Sequence, residues 1–453
     1  MSDHFFCVHG HFYQPPRGNP FRDDELGVEE GAEPFANFNE KATALCYAPN
    51  AMLGSFELMS FNVGNALMRW MEKNAPSTYL QITAADHNHA LRWGVGNALA
   101  QPAHHAILPL CRLRDQHLLV RWGMITFEHR FGRPAEGMWL PDLGVTLETL
   151  QVLRDNGVKF TILGQAQVNG ANEGAGPYWV KLPSGDQITV YVRDDSLSNT
   201  VAFGVRTLGG AGRWARNTLQ PLKRNLSRML LLALEGETFG YHHPGEENFV
   251  RWLLTYEAAA VGYQVTTLMR DLQDHPPQSE VTVNEYTAWN STRELARWRG
   301  ALRQAFDAFA ERLDHLCADY ARPIGVDIDR ALKDYIRLRL GQVTEAQFLK
   351  DMGWAKLSAQ QAGALLALLR AQFHRQRIYN SNAFFYEDLD RKETRLAIAD
   401  AVCAIHFAQH ATGSDLTPDF CRDLEHVVSN QSGRTAAQIL EEVQAWGRES
   451  GVG

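Results

Sequence analysis

His9 and His11 stand two residues apart at the end of an apolar run, Phe5 to His11, with only Gly10 between them. Strand side chains alternate, so both imidazoles are expected on one face, where they could hydrogen-bond a common ligand or bind a metal ion. Histidine pairs are also often satisfied core groups. A second constellation, Gly137-Met138-Trp139-Leu140-Pro141-Asp142, ends an apolar strand in a proline and a carboxylate. That pattern delivers an acid to the C-terminal mouth of a parallel barrel, with Trp139 as a face for stacking; the alternative is that Asp142 N-caps a helix starting near Val145. The third, Leu234-Glu235-Gly236-Glu237-Thr238-Phe239-Gly240-Tyr241-His242-His243, follows the apolar run Met229 to Leu234. Glu235 and Glu237 would leave a buried strand on one face, either as an ion-pair network or as reactive groups with shifted pKa values. With Asp142 they supply the paired carboxylates that retaining glycoside hydrolysis needs, one as nucleophile and one as acid and then base. Glu237 is the alternative proton donor.

Other strand-end groups are Asp86 in Ala84-Ala85-Asp86-His87-Asn88-His89, Asp194 and Asp195 after Val192, and Trp289 after the run from Val281. Each is read first as a cap, turn or surface group and second as a contact.

The elements that must position these residues follow from apolar patterning. Strands are expected at Phe5 to His11, Tyr79 to Ala85, Gly137 to Leu140, Lys159 to Leu163, Ile188 to Val192, Met229 to Leu234 and Val281 to Tyr286. Leu147, Leu150 and Leu153 recur at helical spacing before Asn156-Gly157, so Met138 to Leu163 reads as strand, helix, strand. From Thr292 the pattern turns helical, with Leu295, Trp298, Leu302, Phe306 and Phe309, then Ala362 to Phe373 and Thr394 to His406. The expectation is an α/β barrel over residues 1–290 and a helical region over 291–453. Two Gly-rich stretches, Asn169 to Gly176 and Gly204 to Gly212, are flaps over the barrel mouth or plain connections.

Composition narrows the function. The 453 residues carry 44 basic and 52 acidic side chains, a net charge of −8 with no block of like charge. A nucleic-acid or anionic-membrane surface is therefore not expected, and a neutral or polar substrate fits better. The start, Met-Ser-Asp-His, has no basic region leading into an apolar run, and stretches such as Met229 to Leu234 are too short to span a bilayer, so the chain reads as cytoplasmic. The six cysteines, Cys7, Cys46, Cys111, Cys317, Cys403 and Cys421, form no Cys-x-x-Cys pair and read as mostly buried free thiols. Oligomeric state is left open.

Taken together, the ordered motifs resemble glycoside hydrolase family 57, in its bacterial branch with an extra C-terminal helical domain. The resemblance rests on His9 to Arg17, Pro34-Phe35 through Ala48-Pro49-Asn50, Ser60 to Gly64, Gly96-Asn97-Ala98 and His105 to Pro109. It continues through Arg121-Trp122-Gly123, Arg130 to Arg133, Glu136 to Asp142, Lys159 to Leu163, Gly236 to Gly240, His242-His243 and Ile378 to Arg391. It implies an incomplete (β/α)7 barrel with a helical region, and retaining hydrolysis or glucanotransfer on α-linked glucans or oligosaccharides without metal or organic cofactor.

The resemblance also makes the departures visible. Where the family carries its nucleophilic Glu after Trp-Leu-Pro, this chain has Asp142; where the family carries its acid/base Asp before Gly-Glu-Thr-Phe-Gly, it has Glu235. One carboxyl is withdrawn by a methylene and the other advanced, so the activity implied is either compensated or impaired. The family's His-His-His reads Tyr241-His242-His243, its Thr-Ser-Trp-Ser reads Thr287-Ala288-Trp289-Asn290, and a Cys-Gly-Trp before Phe384-Phe385 is gone. Asp142 and Glu235 are the implied catalytic pair, with His9, His11, Asp86, Trp139, Glu237, Phe239, His242, His243 and Trp289 around the substrate. The competing readings are a non-catalytic relative that binds a glucan or a partner, and a metal-dependent deacetylase- or mannosidase-like barrel using Asp86, His9 and His11.

Overall fold

The computed structural model describes residues 4–172, 174–224, 228–289, 300–385 and 388–451. The expectations placed on Asn290 to Thr292, Leu295, Trp298, Tyr386 and Glu387 lie outside these residues. Two compact units result, one of Met1–Pro15, Gly27–Pro102 and Arg130–Thr292, the other of Pro16–Leu26, Ala103–His129 and Arg293–Gly453.

The first unit is an incomplete (β/α)7 barrel, and its seven parallel staves follow chain order. Strand β1 (Phe5–Phe12) pairs with β2 (Ser60–Val63) on one side. From β2 the ladder passes through single parallel bridges, Phe61 to Ala98, Ala100 to Met138 and Gly137 to Phe160, and so reaches β3 (Phe160–Gly164). Next to β3 runs β5 (Gln187–Arg193), which also takes the antiparallel strand β4 (Tyr178–Lys181) along part of its length. The last stave, β6 (Met229–Glu235), pairs with β1 along seven residues. Between β5 and β6 the closure is thin. Ala175 is wedged there, its amide donating to the Met229 carbonyl while its own carbonyl accepts from Val192, and the Asp194 amide reaches the Leu231 carbonyl at 2.9 Å. The Gly-rich stretch Asn169 to Gly176 thus helps to seal the barrel seam rather than only connecting elements.

Period-two alternation decides where polar groups collect. The inward row of β6 is Met229, Leu231, Ala233 and then Glu235; that of β1 is Cys7, His9 and His11; that of β5 reaches Tyr191 and then Arg193. The rows are apolar in the barrel interior and turn polar at the C-terminal ends. Nearly the whole of β6 is buried, which explains its unbroken apolar run.

Three strand expectations are corrected. Tyr79 to Ala85 lies inside helix α1 (Pro76–Trp93), whose buried residues Thr78, Ile82, Ala85, Asp86 and His89 follow the helical period and whose first position is a proline. Gly137 to Leu140 is a barrel stave held by bridges rather than a continuous strand, and its neighbour around Ala98 to Ala100 gave no apolar run to find. Of Val281 to Tyr286, only Thr282 and Val283 pair, antiparallel to Val168 and Asn169, and Tyr286 ends the run in a left-handed conformation (φ 57°). This segment is a strap, not a stave.

The second unit is helical. Its helices include α2 (Leu113–Phe131), α4 (Ala301–Ile324), α5 (Ile328–Arg339), α6 (Ala359–Arg377), α7 (Lys392–Thr412) and α8 (Ala436–Glu449). It draws on two segments from inside the first 290 residues, so no single cut at 290 separates the units. Buried ion pairs supply the reason. Arg375, with no exposed surface, lies 2.7 Å from Asp115 and 3.0 Å from Asp314, and Arg377 grips Asp24 at 2.6 Å and 2.8 Å. Removing one partner of such a pair leaves an uncompensated buried charge.

Candidate active site

His9 and His11 share one partner, Asn62. The Oδ1 of Asn62 is 3.1 Å from the Nε2 of His9 and 3.1 Å from the Nδ1 of His11, and the Nδ2 of Asn62 donates to Gln101 at 2.8 Å. Both imidazoles lie nearly parallel to the indole of Trp139, with centroids 5.0 Å and 4.8 Å away. Burial pushes the pKa of His9 down to about 3 and that of His11 to about 4, although the Asn62 contact opposes it, so both are neutral at physiological pH. Among the described residues no three His, Cys, Asp or Glu side chains converge as a metal site requires.

Glu235 faces His11 directly in the β1–β6 register. Its side chain is 53 % exposed, and its Oε2 lies 3.5 Å from the Nε2 of His242. Burial raises the Glu235 pKa, but the His242 hydrogen bond and charge outweigh it and hold the carboxyl below its ordinary range. The same hydrogen bond raises His242. Each shift favours the charged form of its group. In a His242→Gln variant the influences that lower Glu235 are lost while burial remains, so its pKa should rise; carbon-detected NMR titration of the Glu235 carboxyl reads this, and an unchanged or lower value would contradict it.

Asp142 occupies a strained turn. Residues Pro141–Leu143 form one 3-10 turn in which Asp142 (φ 53°) and Leu143 (φ 48°) are both left-handed. Such backbone persists only where the surroundings over-determine it. Here Leu143 is fully buried, its carbonyl accepts from Gln167 at 2.7 Å, and the Asp142 carbonyl accepts from the Trp289 amide at 3.0 Å. The capping alternative is overturned: Thr146 caps helix α3 (Leu147–Asp155), its side chain accepting from the Thr149 amide. The Asp142 side chain is half-buried.

The remaining candidates sort by depth. Trp289 is half-buried, set edge-to-face against Trp139 at 5.7 Å. Trp139 itself has no exposed surface, so the expectation that it stacks on a ligand is corrected: it carries the two histidines instead. His9 (0 %), Glu237 (3 %) and Phe239 (1 %) are likewise beneath the surface. Glu237 accepts from the Tyr47 hydroxyl at 2.5 Å and the Tyr13 amide at 2.7 Å, and the Phe239 carbonyl accepts from Asn50 at 2.7 Å. Gly236 between the two acids is forced, since a Cβ there would fall 2.4 Å from the Phe12 ring. His243 ties its Nε2 to the Ala202 carbonyl at 3.2 Å. Asp86 lies on a helix, not at a strand end, and both its oxygens are taken by Arg133 (2.6 Å and 2.8 Å) and by the amides of Asn97 and Ala98. It fastens α1 to a stave and is not brought to the His11 group.

Asn62, Tyr47 and Arg193 were missed from the sequence. Asn62 had a signal: in a fully buried strand, Ser60 and Asn62 are the polar residues of one face. Tyr47 had none, because only the fold brings it to Glu237.

The chain resembles known proteins in sequence and in fold. Residues 20–284 match the family described as Glycosyl hydrolase family 57, and residues 295–444 match one described as Domain of unknown function (DUF3536). The chain belongs to glycosyl hydrolase family 57. An alpha-amylase of Pyrococcus abyssi is 23% identical over 257 residues, 56% of this chain and 33% of that protein, so the chain matches only about a third of that relative's length. Among solved structures, an exo-type maltose-forming amylase from Pyrococcus sp. ST04 superposes with a TM-score of 0.74 at 15% identity, covering 93% of this chain and 83% of the other. A branching enzyme of Thermococcus kodakaraensis gives 0.62 at 13%, covering 98% and 94%. At these identities the two structures speak to fold.

Proposed function

We propose that the chain is a retaining glycoside hydrolase or glucanotransferase acting on α-linked glucans or oligosaccharides, with Asp142 as nucleophile and Glu235 as acid/base. One observation carries the reading. Glu235 stands opposite His11 in the ladder, and Asp142 follows by three residues the tryptophan stacked on that histidine, which supports reading the two acids as a pair. His11, 5% exposed, and His242 would hold sugar hydroxyls, and the half-buried Trp289 would stack on a ring. The family and the named relatives support a glucan as substrate.

The exchange of Glu for Asp at 142 and of Asp for Glu at 235, relative to the family pattern, is read as a compensated pair. We also read the protein as cytoplasmic, because all six cysteines are free and five are buried, the state a reducing compartment maintains. No described helix is long and apolar enough to cross a membrane.

The deciding experiment follows anomer formation by NMR during incubation of purified protein with an α-1,4-glucan. Product of the α configuration is expected. A β product would exclude retention, and binding without any new reducing ends or transfer products would replace the enzyme with a glucan-binding relative.

A further inference from the structure

We infer that Arg193 is a positioning residue that fixes the attitude of Trp289 at the mouth of the barrel and thereby sets how a sugar ring is gripped; this rests on the function proposed above. Arg193 ends the inward row of β5 and is 2 % exposed. A buried guanidinium is costly unless each nitrogen is satisfied. Here Nε donates to Asp195 at 2.7 Å, Nη1 to the Ala233 carbonyl at 2.7 Å and Nη2 to Asn199 at 3.0 Å. Its partner across the ladder is Gly164, where even a Cβ would fall 2.8 Å from the Asp195 carboxylate, so a glycine makes room for the charge pair.

With one hydrogen bond at each of its three nitrogens, the guanidinium has a fixed plane. Its Cζ lies over the Trp289 ring, 5.3 Å from the centroid. Trp139 meets the same indole at 5.7 Å and 79°, and the Trp289 amide is bound to the Asp142 carbonyl. The ring is thus held between a cation and a second indole while its main chain is tied to the turn that bears the acid. No apolar residue could give both the flat support and the bond to Ala233 near the end of β6.

A merely structural alternative is that Arg193 closes the thin β5–β6 seam through Ala233. The two roles separate in Arg193→Lys, because an ammonium can still donate to Ala233 but has no plane to support an indole. The expected result is a KM for α-glucan raised about five- to tenfold with kcat held within about twofold, the loss of a partly desolvated cation–π contact. In a Trp289→Leu background the same change should add less than about twofold, since the effect runs through the indole. Near-UV circular dichroism of the two single variants should lose the same Trp139–Trp289 contribution. An unchanged KM in folded Arg193→Lys, or equal losses in both backgrounds, overturns the proposal. Should Arg193→Lys not fold, Asn199→Ala loosens one guanidinium nitrogen without touching Trp289 and enters the same double-variant comparison. If the wild type neither binds nor turns over a glucan, the functional reading fails, while the dichroism comparison still decides whether Arg193 holds Trp289.

Discussion

Asp142→Asn is expected to lower kcat on an α-glucan by about 10⁴-fold or more while leaving KM within a few-fold, as loss of a covalent nucleophile does. Asn is the informative choice. It keeps the size of the side chain and, like Asp, tolerates the left-handed backbone at φ 53°, so the turn should survive. Glu235→Gln should cost on the order of 10²- to 10⁴-fold, the usual range for a lost acid/base. External azide separates the two, because a small anion replacing the nucleophile gives inverted product, whereas one replacing the base-activated water gives retained product. The methylene exchange can be read from the same assay. Asp142→Glu and Glu235→Asp should each lose roughly 10²-fold by misplacing a reacting atom, and the double variant should recover part of that. Full activity in Asp142→Asn would remove the nucleophile assignment, and a double variant worse than both singles would show that the exchanged acids are not a compensating pair.

The second large effect is on stability. Burial pushes the Glu237 carboxyl from its ordinary 4.5 up to about 8, the hydrogen bond from Tyr47 pulls it down, and the charge of Glu235 adds to the rise. The folded protein therefore holds a proton here that the unfolded chain releases. The resulting stabilisation is full below about pH 4.5 and is lost as pH climbs through 8. Glu237→Gln keeps an acceptor for Tyr47 and for the Tyr13 amide but cannot ionise. Relative to wild type, the variant should gain on the order of 4 kcal/mol between pH 4 and pH 9, one pKa unit being about 1.4 kcal/mol. Urea unfolding at the two pH values measures it. A wild-type–variant difference independent of pH would mean that the Glu237 pKa is the same in the native and unfolded states.

Both predictions use residues visible in the sequence, yet their roles were not equally legible. Elements with strong local patterns were read correctly: β1, β3, β5, β6 and helix α3 match the apolar runs and periods within a few residues. Errors fell where type and period disagreed. Tyr79 to Ala85 has the β-branched and aromatic content of a strand, but its buried positions recur at helical spacing. The stave from Ala98 to Ala100 is too short to show any period at all.

By itself, the sequence determined that His9 and His11 share a face, that Glu235 ends a buried strand, and that an acid follows Trp139 at a strand end. These follow from alternation along one chain, which is local. Only the tertiary structure decided that Trp139 is floor rather than sugar platform, that Glu237 is sealed under Tyr47 while Glu235 meets His242, that Asp86 belongs to Arg133, and that Arg193 supports Trp289. Burial and partner identity at a barrel mouth depend on which staves become neighbours, and side chains brought together from positions up to 190 residues apart, as Tyr47 and Glu237 are, leave no mark in the spacing of either.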